Sequence, residues 1–223
     1  MATFNLHGKF FAVTGAASGI GRAVACKLYE SGASLSLCDV ETKGLAEVKD
    51  FLQQKWPSHR GTILTEVVDV ADSKKVEGWI ESAVKSVGPL DGAANMAGIA
   101  TNKSFPNGIT DVTDEDWSRM IGVNLTGLFY SLRAQLRDGR MKNGSSIVNA
   151  GSAMSKLGNP ADGGYAASKH GVLGLTKSLA KELGGREIRV NCICPYTDSE
   201  DSVRQAGTYF FAWPGDQKGG AGR

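Results

Sequence analysis

Three residues that could act together on an alcohol or a ketone occur in one stretch of the chain: Ser152, Tyr165 and Lys169. Tyr165 and Lys169 are four residues apart in a helical pattern, so their side chains project from one helix face. A cation beside a phenol favours the phenolate, which predicts a Tyr165 pKa below the reference of about 10. Such a phenol can serve as a general acid or base. An isolated pair with this spacing is more often a solvated helix face, so the interpretation depends on the rest of the chain.

A second candidate site lies near the N-terminus, where a glycine-rich turn joins an apolar run at 9–13 to an amphipathic helical pattern at 22–30. Gly15 permits a tight turn, Gly19 lets the backbone approach a phosphate, and Gly21 lets helix and strand pack together. The free N–H groups and positive dipole of the helix start favour the pyrophosphate of a dinucleotide. The strand before the turn and the helix after it are the context that this motif requires.

A further apolar run, at 34–38, ends in Asp39, whose carboxylate could bind the adenosine ribose hydroxyls. The same carboxylate would repel the 2′-phosphate of NADP, because two unit charges about 4 Å apart interact by roughly 4 kcal/mol at an effective dielectric constant of about 20. No Lys or Arg within the glycine turn offsets that repulsion. We therefore predict NAD in preference to NADP. The alternative is that Asp39 caps the following helix, a role that Glu41 or Thr42 could also fill.

These features occur in the order found in the short-chain dehydrogenase/reductase family, which the chain resembles from about Gly8 to Pro195. The fourth-strand motif Asn-Asn-Ala-Gly has Met96 in place of its second Asn. In chain order, the other residues that resemble family motifs are Thr14, Gly15, Gly19, Gly21, Asp69, Val70, Asn95, Ala97, Gly98, Asn124, Ser152, Tyr165, Lys169 and the segment 191–195 ending in Pro195.

The resemblance implies an NAD(P)-dependent oxidoreductase that interconverts a secondary alcohol and a ketone by hydride transfer. By this resemblance Tyr165 is the general acid/base, Ser152 orients the substrate oxygen, Lys169 holds the nicotinamide ribose and depresses the Tyr165 pKa, and Asn124 positions a water. The implied catalytic residues are Asn124, Ser152, Tyr165 and Lys169. The implied cofactor-binding residues are Thr14, Gly15, Ser18, Gly19, Ile20, Gly21, Asp39, Asp69, Val70, Asn95, Ala97, Gly98, Tyr165, Lys169 and Pro195.

Alternating strand and helix patterns predict an α/β fold, with a doubly wound parallel sheet of Rossmann type covered by helices on both faces. The predicted strands are 9–14, 34–39, 61–68, 90–95, 145–151 and 188–193, and the predicted helices are 20–31, 42–55, 73–87, 114–137 and 164–184. By the resemblance, the helices 114–137 and 164–184 also form a homo-oligomer interface.

Composition narrows the classes of partner. A net charge of +2 without a basic stripe gives no indication of nucleic acid or membrane binding. The four cysteines and three histidines lack metal-site spacing, so we expect no metal and a reducing compartment. The first residues lack a signal-peptide pattern and no apolar run reaches membrane-spanning length, so we expect a cytoplasmic protein.

The family pattern is lost after Pro195, where Tyr196 stands in place of the family glycine. We expect one catalytic domain at 1–195 and an atypical tail at 196–223, with the last strand and the substrate lid missing. A catalytically weak or inactive NAD-binding protein that acts by interaction is the alternative function. The loop 101–111 contains Phe105 and Ile109 and indicates an apolar substrate, although such residues are more often local packing.

Overall fold

A computed structural model of the 223-residue chain describes residues 5–100, 105–137, 139–160 and 162–195. Strands and helices alternate through these residues. The strands are β1 (Phe10–Thr14), β2 (Ser34–Asp39), β3 (Ile63–Val67), β4 (Leu90–Asn95), β5 (Met141–Ala150) and β6 (Arg189–Ile193). The α-helices are α1 (Gly19–Glu30), α2 (Thr42–Lys55), α3 (Ser73–Val87), α4 (Asp114–Ile121), α5 (Gly127–Leu136) and α6 (Gly163–Glu182). The predicted tail and the predicted loss of a final strand lie outside the described residues.

The strands form one parallel sheet in the order β3-β2-β1-β4-β5-β6. After β3 the chain crosses back past β1 to continue on its other side, so the strand order reverses between β1 and β4. Thr14 pairs with Asn95 at that point. In such sheets a ligand binds beyond the carboxyl ends of the strands beside the reversal, which is where the glycine turn begins.

Helices cover both faces of the sheet, as alternate residues of β1 indicate. Val13 belongs to an apolar core with Leu45 and the rest of the α1 and α2 layer. Ala12, its neighbour in the strand, belongs to a second core with Trp79 of α3 and Val172 of α6. The fold is therefore the doubly wound α/β sheet of Rossmann type that the sequence predicts.

The single helix predicted at 114–137 is wrong in one respect, because it is interrupted. α4 ends at Ile121, a π-helical turn occupies Gly122–Thr126, and α5 begins at Gly127. One π-helical turn shifts the apolar repeat by a single residue, so the periodicity does not reveal it. Such turns are frequent at functional sites, and this one carries Asn124.

Strand β5 begins four residues earlier than predicted, at Met141. Met141 pairs with Leu90, and the register then shifts before Gly92. Gly144 lies in this irregular stretch with a φ of +76°, a conformation that glycine adopts at little cost. The polar residues of this stretch do not alternate with apolar ones, which explains why the sequence pattern missed them.

Candidate active site

The glycine turn between β1 and α1 has the geometry that its residues predict. Gly15 has a φ of +66°, and a Cβ there would lie 2.8 Å from the backbone N and Cα of Ala97. A Cβ on Gly21 would overlap the carbonyl oxygen of Gly15. Gly19, at a φ of +50°, faces open space instead. Two of the glycines therefore permit close packing, while the third leaves room for a ligand.

The start of α1 offers unoccupied hydrogen-bonding groups to that open space. Ser18 is the N-cap of α1 but makes no side-chain capping hydrogen bond. Ser18, Gly19 and Ile20 are all exposed. A helix N-terminus with free N–H groups favours an anion such as a phosphate. These residues fit the pyrophosphate of a dinucleotide.

Thr14 links β1 to β4 at the point where the strand order of the sheet reverses. Its hydroxyl accepts a 3.1 Å hydrogen bond from the backbone N–H of Ala97, and its side chain is buried. Thr14 therefore sets the path of the backbone at Ala97 and Gly98, at the edge where the cofactor is predicted to lie.

Asp39 is tied to the glycine turn through its carboxylate. Oδ2 accepts a hydrogen bond of 2.9 Å from the N–H of Ala17, and Oδ1 accepts one of 3.1 Å from the N–H of Glu41. The N-cap of α2 is Glu41, so the alternative role of Asp39 as that cap is wrong. Asp39 thus fixes a negative charge directly beside the turn.

Asp69 and Val70 follow β3 and differ in their surroundings. Asp69 is exposed and accepts a 2.9 Å hydrogen bond from the N–H of Ala71. Val70 is buried, and a Cβ on Gly127 would lie 2.8 Å from its Cγ2. Val70 therefore holds the start of α5, and of the two residues only Asp69 presents its side chain to solvent.

Asn95 is turned inward rather than toward the open edge. Its Oδ1 accepts a 2.8 Å hydrogen bond from Gln135, and its Nδ2 donates one of 3.0 Å to Asn149. Asn149 in turn donates a 3.0 Å hydrogen bond to Thr176. All four side chains are buried. Sequence reasoning missed Gln135, Asn149 and Thr176, because only the fold brings residues so far apart in the chain together.

The π-helical turn directs Asn124 into the loop after β4. Its Oδ1 accepts a 2.7 Å hydrogen bond from the N–H of Ile99, and its Nδ2 donates to the Ile99 carbonyl at 2.9 Å and to the Ser168 hydroxyl at 3.1 Å. Ser168 donates to the carbonyl oxygen of Tyr165 at 2.7 Å. Asn124 is 2% exposed. Its amide thus links the loop after β4 to Ser168 and, through it, to the Tyr165 carbonyl. The water that the resemblance assigns to Asn124 stays a prediction, and sequence reasoning overlooked Ser168.

Lys169 is buried behind Tyr165, with its Nζ 5.6 Å from the centre of the phenol ring. The ammonium donates a 2.8 Å hydrogen bond to the carbonyl oxygen of Ala150. Burial lowers the pKa of Lys169 to about 8, and the nearby Cys192 and Cys194 partly oppose this shift. A Cβ on Gly98 would lie 3.3 Å from the Lys169 Nζ, so only glycine leaves the lysine this much room.

The expected fall in the Tyr165 pKa is wrong for the protein as it stands. Burial raises the pKa of Tyr165, a hydrogen bond with Ser152 opposes the rise, and the Asp162 carboxylate adds to it. The physical reason is that burial outweighs any help from Lys169, whose ammonium is directed to the Ala150 carbonyl. Tyr165 is therefore a neutral phenol at neutral pH.

Ser152 begins a short 3-10 turn that brings it to Tyr165. Its hydroxyl accepts a 3.2 Å hydrogen bond from the N–H of Met154, and its own N–H donates one of 3.1 Å to Ser155. The carbonyl of Pro195 accepts a 3.0 Å hydrogen bond from the N–H of Ala153. Ser152 thus caps this 3-10 turn and also interacts with Tyr165. Pro195 holds the same segment through its backbone carbonyl.

The comparisons with known proteins agree with this geometry. The family model described as "Enoyl-(Acyl carrier protein) reductase" matches residues 15–209. The short-chain dehydrogenase/reductase aba4 of Botryotinia fuckeliana (strain B05.10) is 42% identical over 198 residues, which cover 89% of this chain and 75% of that protein. This chain belongs to the short-chain dehydrogenase/reductase family. The match continues to residue 209, beyond the limit of Pro195 that the motifs alone indicated.

Solved structures of the family superpose well on this short-chain dehydrogenase/reductase. Carveol dehydrogenase from Mycobacterium avium, in complex with NAD, has a TM-score of 0.77 and 32% identity, covering 86% of this chain and 72% of that one. An NADPH-bound short chain oxidoreductase from Pseudomonas aeruginosa PAO1 has a TM-score of 0.79 and 27% identity, covering 91% of this chain and 77% of that one. It is described as containing an atypical catalytic center. The protein is an oxidoreductase of a family that uses NAD or NADP and acts on small molecules.

Among the residues that the structure describes, no three His, Cys, Asp or Glu side chains lie close enough to hold a metal ion. Across the same described ranges, no helix is both long and apolar enough to cross a lipid bilayer.

Proposed function

We propose that this short-chain dehydrogenase/reductase interconverts a secondary alcohol and a ketone, with NAD(H) as its preferred cofactor and 1–195 as its catalytic domain. The observation that carries the proposal is the placement of Tyr165. Its hydroxyl lies close enough to the Ser152 side chain for that group to lower the Tyr165 pKa, and the Lys169 Nζ lies 5.6 Å from the centre of its ring. The glycine turn opens at the same edge of the sheet, since Thr14 ends β1 and pairs with Asn95.

In this proposal the nicotinamide cofactor, when bound, donates or accepts the hydride. Tyr165 gives its phenolic proton to the ketone oxygen during reduction and takes a proton from the alcohol during oxidation. Ser152 holds the substrate oxygen beside Tyr165 and stabilises charge that develops on it. Lys169 stabilises the phenolate that forms, and its ammonium is held in place by the Ala150 carbonyl.

The neutral state of the Tyr165 phenol predicts which direction of the proposed reaction is faster. Because burial raises its pKa, the Tyr165 phenol keeps its proton at neutral pH. It is therefore in the protonation state that can donate a proton to a ketone oxygen. Alcohol oxidation instead requires the phenolate as a base, which is scarce at neutral pH. We therefore expect ketone reduction to be the faster direction in neutral solution.

The preference for NAD(H) rests on Asp39. Its carboxylate is held beside the glycine turn by the Ala17 N–H, so it cannot easily move away from an added 2′-phosphate. Two like unit charges about 4 Å apart repel by roughly 4 kcal/mol at an effective dielectric constant of about 20, before salt screening. The relatives include one with bound NAD and one with bound NADPH, so the preference depends on this residue rather than on family membership.

The proposed substrate is a small and partly apolar alcohol or ketone. Ile109 is 64% exposed, and a Cβ on Gly163 would lie 3.5 Å from its Cδ1. Gly163 is only two residues before Tyr165 on α6. Ile109 therefore offers an apolar surface beside the start of α6, the helix that carries Tyr165.

A homo-oligomer through the α4–α5 and α6 helices remains part of the proposal. Trp117 on α4 and Phe129 on α5 are each 43% exposed, so this pair of helices offers apolar surface that a partner could bury. A second copy of the chain would cover them. Size-exclusion chromatography with light scattering measures the assembly directly, and a monomer would contradict this part.

The second candidate function is an NAD-binding protein with little turnover. The raised pKa of Tyr165 favours it, because the phenol then holds its proton more tightly as an acid and supplies little phenolate as a base at neutral pH. One assay separates the two candidates: NADH consumption with a panel of small ketones, beside a titration of NADH binding. Binding with turnover supports the oxidoreductase, whereas tight binding without turnover on any ketone or alcohol supports the second candidate.

A further inference from the structure

Two thiols that the proposed chemistry does not use lie beside the buried lysine. Cys192 near the end of β6 and Cys194 just after it place their sulfur atoms 3.9 Å apart. Both thiols interact electrostatically with Lys169. Both side chains are half-buried rather than sealed within the core. A small reagent can therefore reach this pair.

Gly151 provides the space that the two sulfur atoms share. A Cβ on Gly151 would lie 2.6 Å from the Cys192 Sγ and 3.0 Å from the Cys194 Sγ. Any larger residue at this position would push the sulfur atoms apart. Gly151 also directly precedes Ser152, so the thiol pair packs against the backbone of a predicted catalytic residue.

We propose that Cys192 and Cys194 form a peroxide-sensitive dithiol site, whose oxidation to an intrachain disulfide displaces Ser152 and lowers turnover. The thiol pair itself stands independently of the proposed function. Only the predicted effect of disulfide formation on turnover depends on the proposed function.

The reaction balances with a hydroperoxide as the oxidant. The Cys194 thiolate attacks one peroxide oxygen, the O–O bond breaks, and the leaving oxygen departs as water after protonation. The resulting sulfenic acid on Cys194 is attacked by the Cys192 sulfur, the S–O bond breaks, and a second water leaves. Two thiols and one hydrogen peroxide thus give one disulfide and two waters, with two electrons passing from sulfur to oxygen.

The order of attack follows from the raised pKa of Cys192. Burial and the neighbouring Cys194 raise the pKa of Cys192 to about 12, so Cys192 is the thiol that stays protonated. Part of that rise comes from the electrostatic interaction with Cys194, and this part is lost once Cys194 carries a neutral sulfenic acid. Lys169 lies close enough to stabilise the thiolate at each step.

Closing the disulfide must pull on the backbone between the two cysteines. Residues two apart in an extended strand have Cα atoms about 6.7 Å apart, near the upper limit that a disulfide spans. The sulfur atoms must also approach from 3.9 Å to a bond of about 2.0 Å. The intervening residue, Ile193, therefore has to move.

Ile193 is coupled to Ser152 through the backbone. The Ile193 carbonyl accepts a 2.8 Å hydrogen bond from the N–H of Gly151, and the Pro195 carbonyl accepts one of 3.0 Å from the N–H of Ala153. These two hydrogen bonds flank Ser152 on both sides. A displacement of about 1 Å at a catalytic group can lower a rate by as much as 100-fold. Oxidation at the cysteines is thereby transmitted to the hydroxyl that contacts Tyr165.

The test treats the reduced full-length protein with stoichiometric hydrogen peroxide and maps its tryptic peptides by mass spectrometry. Both cysteines fall in the peptide Val190–Arg204, away from Cys26 and Cys38. We expect this peptide to lose two hydrogen atoms in mass, and turnover to fall about tenfold or more and to return with dithiothreitol. Cys192→Ser and Cys194→Ser should each prevent both changes, whereas Cys26→Ser should not.

The outcomes separate the thiol site from the proposed function. Free thiols in the peptide after treatment, a disulfide between two chains, or sulfonic acid on Cys194 alone would each overturn the proposal. A disulfide that leaves turnover unchanged would overturn the coupling to Ser152. If the reduced protein turns over no substrate, the proposed function fails, and the mass of the peptide still decides whether the dithiol site exists.

Discussion

The Nζ of Lys169 lies 5.6 Å from the centre of the Tyr165 ring and donates its hydrogen bond to the carbonyl oxygen of Ala150. The two side chains share a helix face, as their spacing predicts, but the ammonium is not directed at the phenol oxygen. The lysine therefore stabilises a phenolate once it forms without producing one in advance. This relationship determines the direction and the pH dependence of the proposed reaction.

The first prediction concerns the pH dependence of the two directions. Because the Tyr165 pKa is raised, the phenol persists through the neutral range, so below about pH 8 alcohol oxidation should rise with pH while ketone reduction stays level. Reduction should decline as the pH rises through about 8, where Lys169 loses its charge. Initial rates in both directions from pH 6 to 10 measure this. Lys169→Arg, which stays charged, should lose the decline near pH 8, and an unchanged decline would contradict the assignment.

The second prediction concerns cofactor choice. Asp39→Asn removes the negative charge but keeps one amide oxygen to accept from the Ala17 N–H. The ratio of the NADPH to the NADH dissociation constant should fall at least about tenfold, because the repulsion of the 2′-phosphate is lost. Fluorescence titrations with both cofactors measure the ratio. Asp50→Asn, at an exposed position on α2, serves as the control and should leave it unchanged.

The third prediction compares two glycines. Gly21→Ala would place a methyl group against the carbonyl of Gly15 and should abolish NADH binding or folding. Gly78→Ala, inside α3 with no neighbouring atom within 4 Å, should instead raise the free energy of unfolding by roughly 0.5–1 kcal/mol. Denaturant unfolding and NADH titration of both variants provide the measurement. Equal behaviour of the two would mean that Gly21 is not closely packed.

The fourth prediction concerns stability in acid. The Nδ1 of His59 accepts a 2.7 Å hydrogen bond from the N–H of Gly61, which requires the neutral ring. Burial lowers the pKa of His59, with a further contribution from His7, against a carbonyl interaction at Gly32 that raises it. The unfolded chain therefore binds more protons than the folded one below the reference pKa of about 6.5, so stability falls as the pH drops through that region.

Denaturant unfolding at several pH values tests this directly. His59→Gln should flatten the dependence of the unfolding free energy on pH between about 6.5 and 5, because the titrating ring is gone. His170→Gln is the matched control on the exposed side of α6 and should keep the slope of the parent protein. A slope that survives in His59→Gln would assign the acid sensitivity to another group.

Much of the fold was predictable from the sequence because its causes are local. The turn from β1 into α1 requires glycine at positions 15 and 21, and the apolar runs predicted the strands that end at Asp39 and Asn95. The resemblance to the family then placed Tyr165, Lys169 and Ser152 at one edge of the sheet. Each of these inferences depends on residues close together in the chain or on a motif of fixed spacing.

The remaining features depend on contacts between distant segments. The direction of the Tyr165 pKa follows from its burial and from the position of Asp162, neither of which a helix pattern contains. The inward orientation of Asn95 requires Gln135 and Asn149 to lie beside it. The hydrogen bonds of the Asn124 amide to Ile99 and Ser168 depend on a single π-helical turn that the apolar repeat does not reveal.

The most direct test of the central claim is the effect of Tyr165→Phe on turnover and on NADH binding, measured in parallel. The variant removes only the hydroxyl that contacts Ser152, so ketone reduction should fall by about 100-fold to 10,000-fold while the NADH dissociation constant stays within about twofold. Tyr130→Phe, a tyrosine on α5 away from the site, should match the parent protein in both. Retained turnover in Tyr165→Phe would contradict the assignment of this tyrosine as the proton donor.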